Sequence, residues 1–422
     1  MKFKPRLLAT LVALGSITSP GAFATNGYFL HGNGVKAQGQ AGVSIAQPQD
    51  AMAAANNPAG TAWIGDRLDV GATLFAPDRS AEIEGNGAGA NGHYNGNAKN
   101  VFLLPEIGLS KQLSDRLGVG LAIYGNGGMN TDYRSNPYAA FGSRGSVGVD
   151  FTQVFFTPSV AYKFTERQSF GIGLNLVYQR FAAKGLSAFA NPKFSSDSTN
   201  MNDRGHDSAT GIGLRLGWQG QLTDDLTLGL TWASKIKASK FDRYAGLFAN
   251  GGSFDVPENY GAGVSYKLTP QLTLGVDVQE IKYGHVRSVG NDFDAPSLFG
   301  GNSFGSTNGP GFGWRDITIY KFAASYALTP ELTVRGGYSH AEQPIPSSQT
   351  FLNILAPGVI QDHASLGLTW SVRSNNELSV AYTHGFAKTV NGNSSIPQAF
   401  GGGESNLKMS QDILGVAYAW KY

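Results

Sequence analysis

Apolar and polar residues alternate with a period of two along most of this chain. Leu226, Leu228, Leu230 and Trp232 alternate with Thr227, Gly229, Thr231 and Ala233; Ile212, Leu214, Leu216 and Trp218 alternate with Gly213, Arg215, Gly217 and Gln219. Such strands have one apolar face and one small or polar face. A short phrase punctuates the alternation six times: an apolar strand end, a tight polar turn, then a new alternating run. It falls at Leu113–Leu117, Phe164–Arg167, Leu222–Leu226, Leu268–Leu272, Leu328–Leu332 and Val372–Leu378, with starts 51, 58, 46, 60 and 44 residues apart. Each interval holds two strands and one long Gly- and Asn-rich connection. Short turns at one end and long loops at the other predict an all-β fold, a transmembrane β-barrel.

The six turns join twelve strands. One strand before them and one after make 14, which puts both termini on the short-turn, periplasmic side. The predicted strands are 67–77, 99–113, 117–127, 148–164, 169–184, 206–222, 226–239, 257–268, 272–285, 314–328, 332–342, 361–373, 377–388 and 407–422. A soluble β-propeller also repeats at this spacing, but its blades need four strands per repeat and here each repeat holds two. Tyr162, Tyr266 and Tyr326 each stand two residues before a turn, as an interfacial aromatic girdle would. The last strand ends Leu414, Val416, Tyr418, Trp420, Tyr422. A final strand closing on an aromatic looks like the signal read by the barrel assembly machinery.

The chain opens Met1-Lys2-Phe3-Lys4-Pro5-Arg6, continues with an apolar stretch from Leu7 to Ile17, and reaches Ala22-Phe23-Ala24. This reads as a signal peptide over 1–24, with the mature chain starting at Thr25. Removing Lys2, Lys4 and Arg6 takes the formal charge from +2 down by three, to −1. A near-neutral chain gives no electrostatic case for nucleic acid. The chain has no cysteine, which removes thiolate metal sites and cysteine catalysis. Glycine is abundant, 57 residues of 422, and suits strands crowded by neighbouring backbone.

Residues 25–63 do not alternate. Asp50 before Ala51-Met52-Ala53-Ala54-Ala55 reads as a capped short helix that Asn57-Pro58 ends. A barrel of 14 strands leaves a lumen that wall side chains do not fill. The segment is therefore expected to plug it as a hatch, with Phe29, Asn57, Pro58 and Ala59 as its marker residues, and residues 64–422 to form the barrel.

Here the chain resembles the FadL-type long-chain fatty acid and hydrocarbon transport proteins of the outer membrane (OmpP1/FadL/TodX). The resemblance rests on Gly39-x-Ala41-Gly42, the acidic-to-Ala stretch from Asp50, and Asn57-Pro58-Ala59. Farther along it rests on Trp314-Arg315-Asp316 opening a strand, Pro344-Ile345-Pro346, Ile354-Leu355-Ala356-Pro357 and His363. It spans the mature chain, and order and spacing carry it more than any one motif. One departure is that Ala356 and Gly358 flank the proline where members often read Leu-Pro-Asp. Another is the polar, compact third outer loop, about 185–205. The resemblance implies a 14-stranded barrel with an N-terminal hatch, and release through a wall opening beside a kinked third strand. Gly125-Asn126-Gly127-Gly128, at the end of the predicted third strand, suits that kink.

No Gly-x-Ser-x-Gly elbow, His-Glu-x-x-His or P-loop is present, and the seven histidines are dispersed. Neither an enzyme, a metal site nor a cofactor is expected. Apolar cargo is. The fourth outer loop carries Phe241, Tyr244, Leu247, Phe248 and Phe254, read as an exposed capture groove to which Phe189 and Phe194 add. Strand parity points Phe151, Phe155, Glu106, Arg215, Asp277, Lys321, Arg335 and His363 into the lumen. Arg215, Lys321 and Arg335 are candidates for holding a carboxylate, or else partners of Glu106 and Asp277. The expected function is passive uptake of a hydrophobic small molecule, long-chain fatty acids first. Alternatives are a channel for aromatic hydrocarbons or alkanes, an adhesin or phage receptor, and a barrel enzyme. Outer membrane lipid and lipopolysaccharide are the expected surroundings, and a monomer the expected state.

Overall fold

Fifteen strands form in the computed structural model, which describes residues 26–422; the expected signal peptide and its cleavage point lie outside the described residues. The strands are β1 Arg67–Glu84, β2 Gly92–Asn95, β3 Phe102–Gln112, β4 Leu117–Tyr133, β5 Val147–Thr165, β6 Gln168–Lys184, β7 Asp207–Gln221, β8 Leu226–Ala233, β9 Asn259–Lys267, β10 Leu272–Ile281, β11 Ile317–Ala327, β12 Leu332–Ala341, β13 Asp362–Arg373, β14 Asn376–Val390 and β15 Glu404–Lys421. All pair antiparallel, and β15 returns to β1 in a ladder from Arg67↔Lys421 to Glu84↔Glu404. β2 only flanks the long-loop end of β1, so the ring is a closed antiparallel barrel of 14 strands. Closure leaves no free edge strand for lipid to meet.

The turn phrase works through its hydroxyl. Ser114, Thr223, Thr269 and Thr329 accept from the amides of Leu117, Leu226, Leu272 and Leu332 at 3.0–3.1 Å. In the same turns Leu113, Leu222, Leu268 and Leu328 donate to those leucine carbonyls at 2.8 Å. An apolar closing pair around a hydroxyl-capped turn repeats because one geometry repeats. Tyr162, Tyr266 and Tyr326 all point outward, with the exposed Leu109, Val160, Val264, Leu274 and Leu368.

Several boundaries shift by three residues or more: β3 opens at Phe102 instead of 99, β10 ends at Ile281 instead of 285, β15 opens at Glu404 instead of 407, and four others bear on the wall and the plug. β1 runs on to Glu84 and folds back as β2, because the glycines of residues 85–92 hide a hairpin. β4 does not end at Gly125-Asn126-Gly127-Gly128; it bulges between Gly125 and Gly127 and continues to Tyr133. β8 stops at Ala233, where loop residues take over its pairing. β11 opens at Ile317, leaving Trp314 before the strand, buried and donating to Asn353 Oδ1 at 2.6 Å.

Candidate functional site

Residues 26–66 fill the lumen. Two single helical turns, Val35–Gln38 and Ala53–Asn56, and a 3-10 turn, Pro58–Ala62, carry them past the inner wall. Glycines in the wall admit this backbone. A Cβ at Gly217 would strike Asn57 Oδ1, and one at Gly171 would strike the backbone of Pro58 and Ala59. Asn57 is the keystone of this stretch: its Nδ2 donates to Ile45 O at 2.8 Å and to Trp218 O on β7 at 3.0 Å. Its Oδ1 accepts from Ala59 N at 3.1 Å. Phe29, at the other end, bridges to Gly127 within the β4 bulge, where Leu30 N donates to Asn126 O and Gly128 N to Tyr28 O.

Wall carboxylates grip the plug's amides. Glu106 accepts from Val35 N at 3.0 Å, Asp69 from Ala51 N at 2.9 Å, and Asp277 from Ser44 N at 2.7 Å and Ile45 N at 3.0 Å. The three candidate cations grip its oxygens. Lys321 Nζ donates to His31 O at 2.9 Å, Arg335 Nε to Gln49 Oε1 at 2.8 Å, and Arg215 Nη1 reaches Asn56 O at 3.4 Å. Among the described residues neither Glu106 nor Asp277 forms an ion pair within 4 Å with these cations, so the expected internal salt bridges give way to clamps on the plug. A strong ion network joins Lys36 of the plug to Glu377 at 2.6 Å, with Arg67 3.1 Å from Glu377 and 2.7 Å from Asp69, and Lys421 also on Glu377. Sequence reasoning missed these five. Glu377 was read as part of a turn, and nothing in a linear pattern brings position 36 to position 377.

His31 stacks on His363 of β13, ring centres 5.6 Å apart and planes 6° from parallel. Burial, helped by the Lys321 charge, pushes His31 down to about 4. An unfolded imidazole takes up its proton near 6.5, so the stability His31 contributes is present above pH 6.5 and is lost as pH falls toward 4. Asp50, pushed up to about 6 by burial and then by Asp69, protonates in the same window with the opposite sign. The wild-type minus His31→Gln difference isolates His31. Hydrogen exchange across residues 26–66 is expected to accelerate on acidification less in His31→Gln than in wild type. Equal acceleration would assign acid loosening to other groups.

The fourth outer loop is no open groove. Phe241, Tyr244, Phe248 and Phe254 are buried, and Leu247 is half-buried. Their rings continue a column from the plug: Tyr28 meets Phe151 at 6.0 Å, Phe151 meets Phe254 at 4.8 Å, Phe254 meets Phe248 at 5.0 Å and Phe248 meets Phe181 at 4.6 Å. Phe155 stands apart, stacked on Tyr124 at 5.6 Å. The expected exposure is overturned because loops around one mouth offer each ring an apolar neighbour that water does not. A cavity of about 30 Å³ remains between Phe181, Phe189, Leu247, Phe248, Phe304 and Leu355. Ligand sites run to roughly 300 Å³ or more, so this cavity as it stands is too small for a long chain.

The pairing of the wall breaks beside the bulge. The β3–β4 ladder runs from Gln112↔Gly118 to Glu106↔Tyr124 and stops there, although β3 continues to Phe102 and β4 to Tyr133. Phe102, Leu104, Tyr124 and Met129 are buried around this region.

Residues 11–422 match the family described as outer membrane protein transport protein (OMPP1/FadL/TodX). A long-chain fatty acid transport protein of Escherichia coli O6:H1 is 23% identical over 433 residues, 91% of each chain. A Pseudomonas aeruginosa FadL homologue superposes with a TM-score of 0.70 at 17% identity, covering 94% of this chain and 99% of that one. The Pseudomonas putida toluene transporter TodX superposes at 0.68 and 16% identity, covering 93% and 99%. The two structures carry the fold: a closed 14-stranded barrel with an N-terminal segment inside it. With a family match that runs through plug, wall and outer loops alike, the chain belongs to the OMPP1/FadL/TodX family of bacterial outer membrane transport proteins.

Proposed function

We propose that this protein is a passive channel whose cargo is the long-chain fatty acid class, taken in at the outer loops and released through the wall or past the plug. The observation that carries the reading is the shared grip of Arg215, Lys321 and Arg335. Each donates to an oxygen of the plug, and a cargo carboxylate is a stronger acceptor than a carbonyl. A head group arriving among them would compete for the donors that hold the plug shut. The aromatic column from Phe248 and Phe254 through Phe151 to Tyr28 supplies an apolar path to that point, with Leu247 at its outer end. The broken β3–β4 ladder supplies a side exit. Relatives described as long-chain fatty acid transport proteins support this cargo; neighbours described as toluene transporters favour an aromatic hydrocarbon as the second reading. With both termini in the periplasm, β15 supplies the assembly signal, residues 25–63 act as the hatch, and the barrel works as a monomer among outer membrane lipids.

Single Ala replacements of Arg215, Lys321 and Arg335 in the full chain are expected to weaken oleate binding while sparing an alkane. A charge-assisted hydrogen bond is worth about 1.5–3 kcal/mol, so roughly a tenfold loss is expected at the residue that holds the carboxylate. Equal loss for oleate and alkane would mean damage to the plug. Removal of residues 26–60 tests the hatch: unchanged oleate and toluene uptake through a normally inserted barrel would sink that part of the reading.

A further inference from the structure

Arg79 is a buried guanidinium in the barrel wall that forms no ion pair within 4 Å among the described residues, although Asp78 and Asp132 act on its charge from farther off. It sits on β1 above the end of β3, where β1 and β4 face each other without a common ladder. Its side chain spans that seam. Nη1 donates to Asn130 O on β4, Nη2 to Lys99 O at 2.5 Å, and Nε to Asn97 Oδ1 at 3.4 Å. Its amide also donates to Asn97 Oδ1 at 2.8 Å. Residues 96–98 cross from β1 to β4 beside it, through Gly96 N to Arg79 O, Ala98 N to Asp132 O and Asp132 N to Gly96 O. The guanidinium lies 5.8 Å from the ring of Phe102, the first residue of β3. On the lumen side it joins Phe75, Met129, Trp314, Pro357 and Met409 around a narrow, mainly apolar cleft.

A buried guanidinium whose direct hydrogen bonds all go to neutral oxygens forgoes the contact partner that best offsets its desolvation. A planar fork of donors matches a carboxylate in two parallel hydrogen bonds, which carbonyls on separate segments do not offer. We propose that Arg79 is a second carboxylate site, placed at the wall, and that it bolts the β1–β4 seam until an anionic amphiphile arrives. The cleft, about 10 Å³ in this closed conformation, widens to take the chain of the amphiphile; its head takes the guanidinium from Asn130 O and Lys99 O. The seam then loses its cross-link beside the stretch where the β3–β4 ladder is already absent. Arg79 therefore sets head-group selectivity at release, separately from the cations that hold the plug. This rests on the reading that the channel passes long-chain amphiphiles.

The test uses the full chain in vesicles with a lipopolysaccharide outer leaflet, and measures protein-dependent flux of oleate and of oleyl alcohol, its neutral counterpart. Wild type is expected to favour oleate. In Arg79→Gln the bolt and the head site are both lost: oleyl alcohol flux rises and the oleate-to-alcohol ratio falls roughly tenfold, toward one, as expected for loss of a charge-assisted pair. Arg79→Lys keeps a cation without the fork and is expected to fall between. A wild-type ratio near one, or a ratio unchanged in Arg79→Gln, overturns the proposal. So does an equal fall of both fluxes, which would make Arg79 a purely structural staple. Failure of wild type to pass either compound is a different result: it overturns the channel reading, and this inference with it.

Discussion

Gly217→Val is expected to make a closed barrel conduct. The new side chain begins with a Cβ where Asn57 Oδ1 lies, and Pro58 Cδ is 2.9 Å from the same point. Asn57 must leave its seat, and its bonds to Ile45 O, Trp218 O and Ala59 N go with it. Overpacking costs about 1–3 kcal/mol, and each lost hydrogen bond about 0.5–1.5 kcal/mol. The wall has no such conflict with the change, because a barrel strand tolerates valine well. The cost therefore falls on the plug. Single-channel conductance in planar bilayers is the measurement: wild type near baseline, Gly217→Val open for much of the record. Gly336→Ala is the matched control, since the nearest atom to a Cβ there is Leu366 Cδ2 at an ordinary 3.6 Å. A silent Gly217→Val barrel, correctly folded, would show that the Asn57 seat does not hold the lumen shut.

Glu377→Gln should be the most destabilising single change near the short-turn end. Glu377 accepts from Lys36 at 2.6 Å and Arg67 at 3.1 Å, and pairs with Lys421. Its removal leaves Asp69 alone within bonding distance of this cation group. Breaking a buried pair by removing one partner costs about 3–5 kcal/mol, because the remaining charges stay desolvated. Lys36 is the plug's own member, so the loss should appear first as protease sensitivity of residues 26–66 and then as a lower urea midpoint for the barrel. Adding Lys36→Met should restore part of the loss, since it removes a cation that has lost its partner. An unfolding free energy within about 0.5 kcal/mol of wild type, the usual range for surface changes, would mean that solvent already screens the network.

The wall was legible in the sequence because strand parity is a local property. Residues two apart share a face whatever the rest of the chain does. The turns at Leu113–Leu117, Leu222–Leu226, Leu268–Leu272 and Leu328–Leu332 repeat a local hydroxyl cap, so the strand count follows from reading them. Parity also pointed Glu106, Arg215, Asp277, Lys321 and Arg335 inward. The missed pieces were local signals of the wrong kind. Gly125-Asn126-Gly127-Gly128 has the composition of a strand end, yet β4 passes through it as a bulge because the plug pairs with it from inside. Phe241, Phe248 and Phe254 have the composition of an exposed apolar patch, yet they are interior because other loops reach them.

The sequence by itself determined the class of fold, the number of strands, which side chains face lipid and which face the lumen, and that the first residues after 25 are not strand. Each of these depends on spacing along the chain. Only the tertiary structure decided what the inward charges hold. Lys36 meets Glu377, Lys321 meets His31 O, and Arg79 spans a seam between strands that are not chain neighbours. Those partnerships depend on barrel closure and on the path of the plug through the lumen. Closure brings distant positions together at distances that no local period encodes.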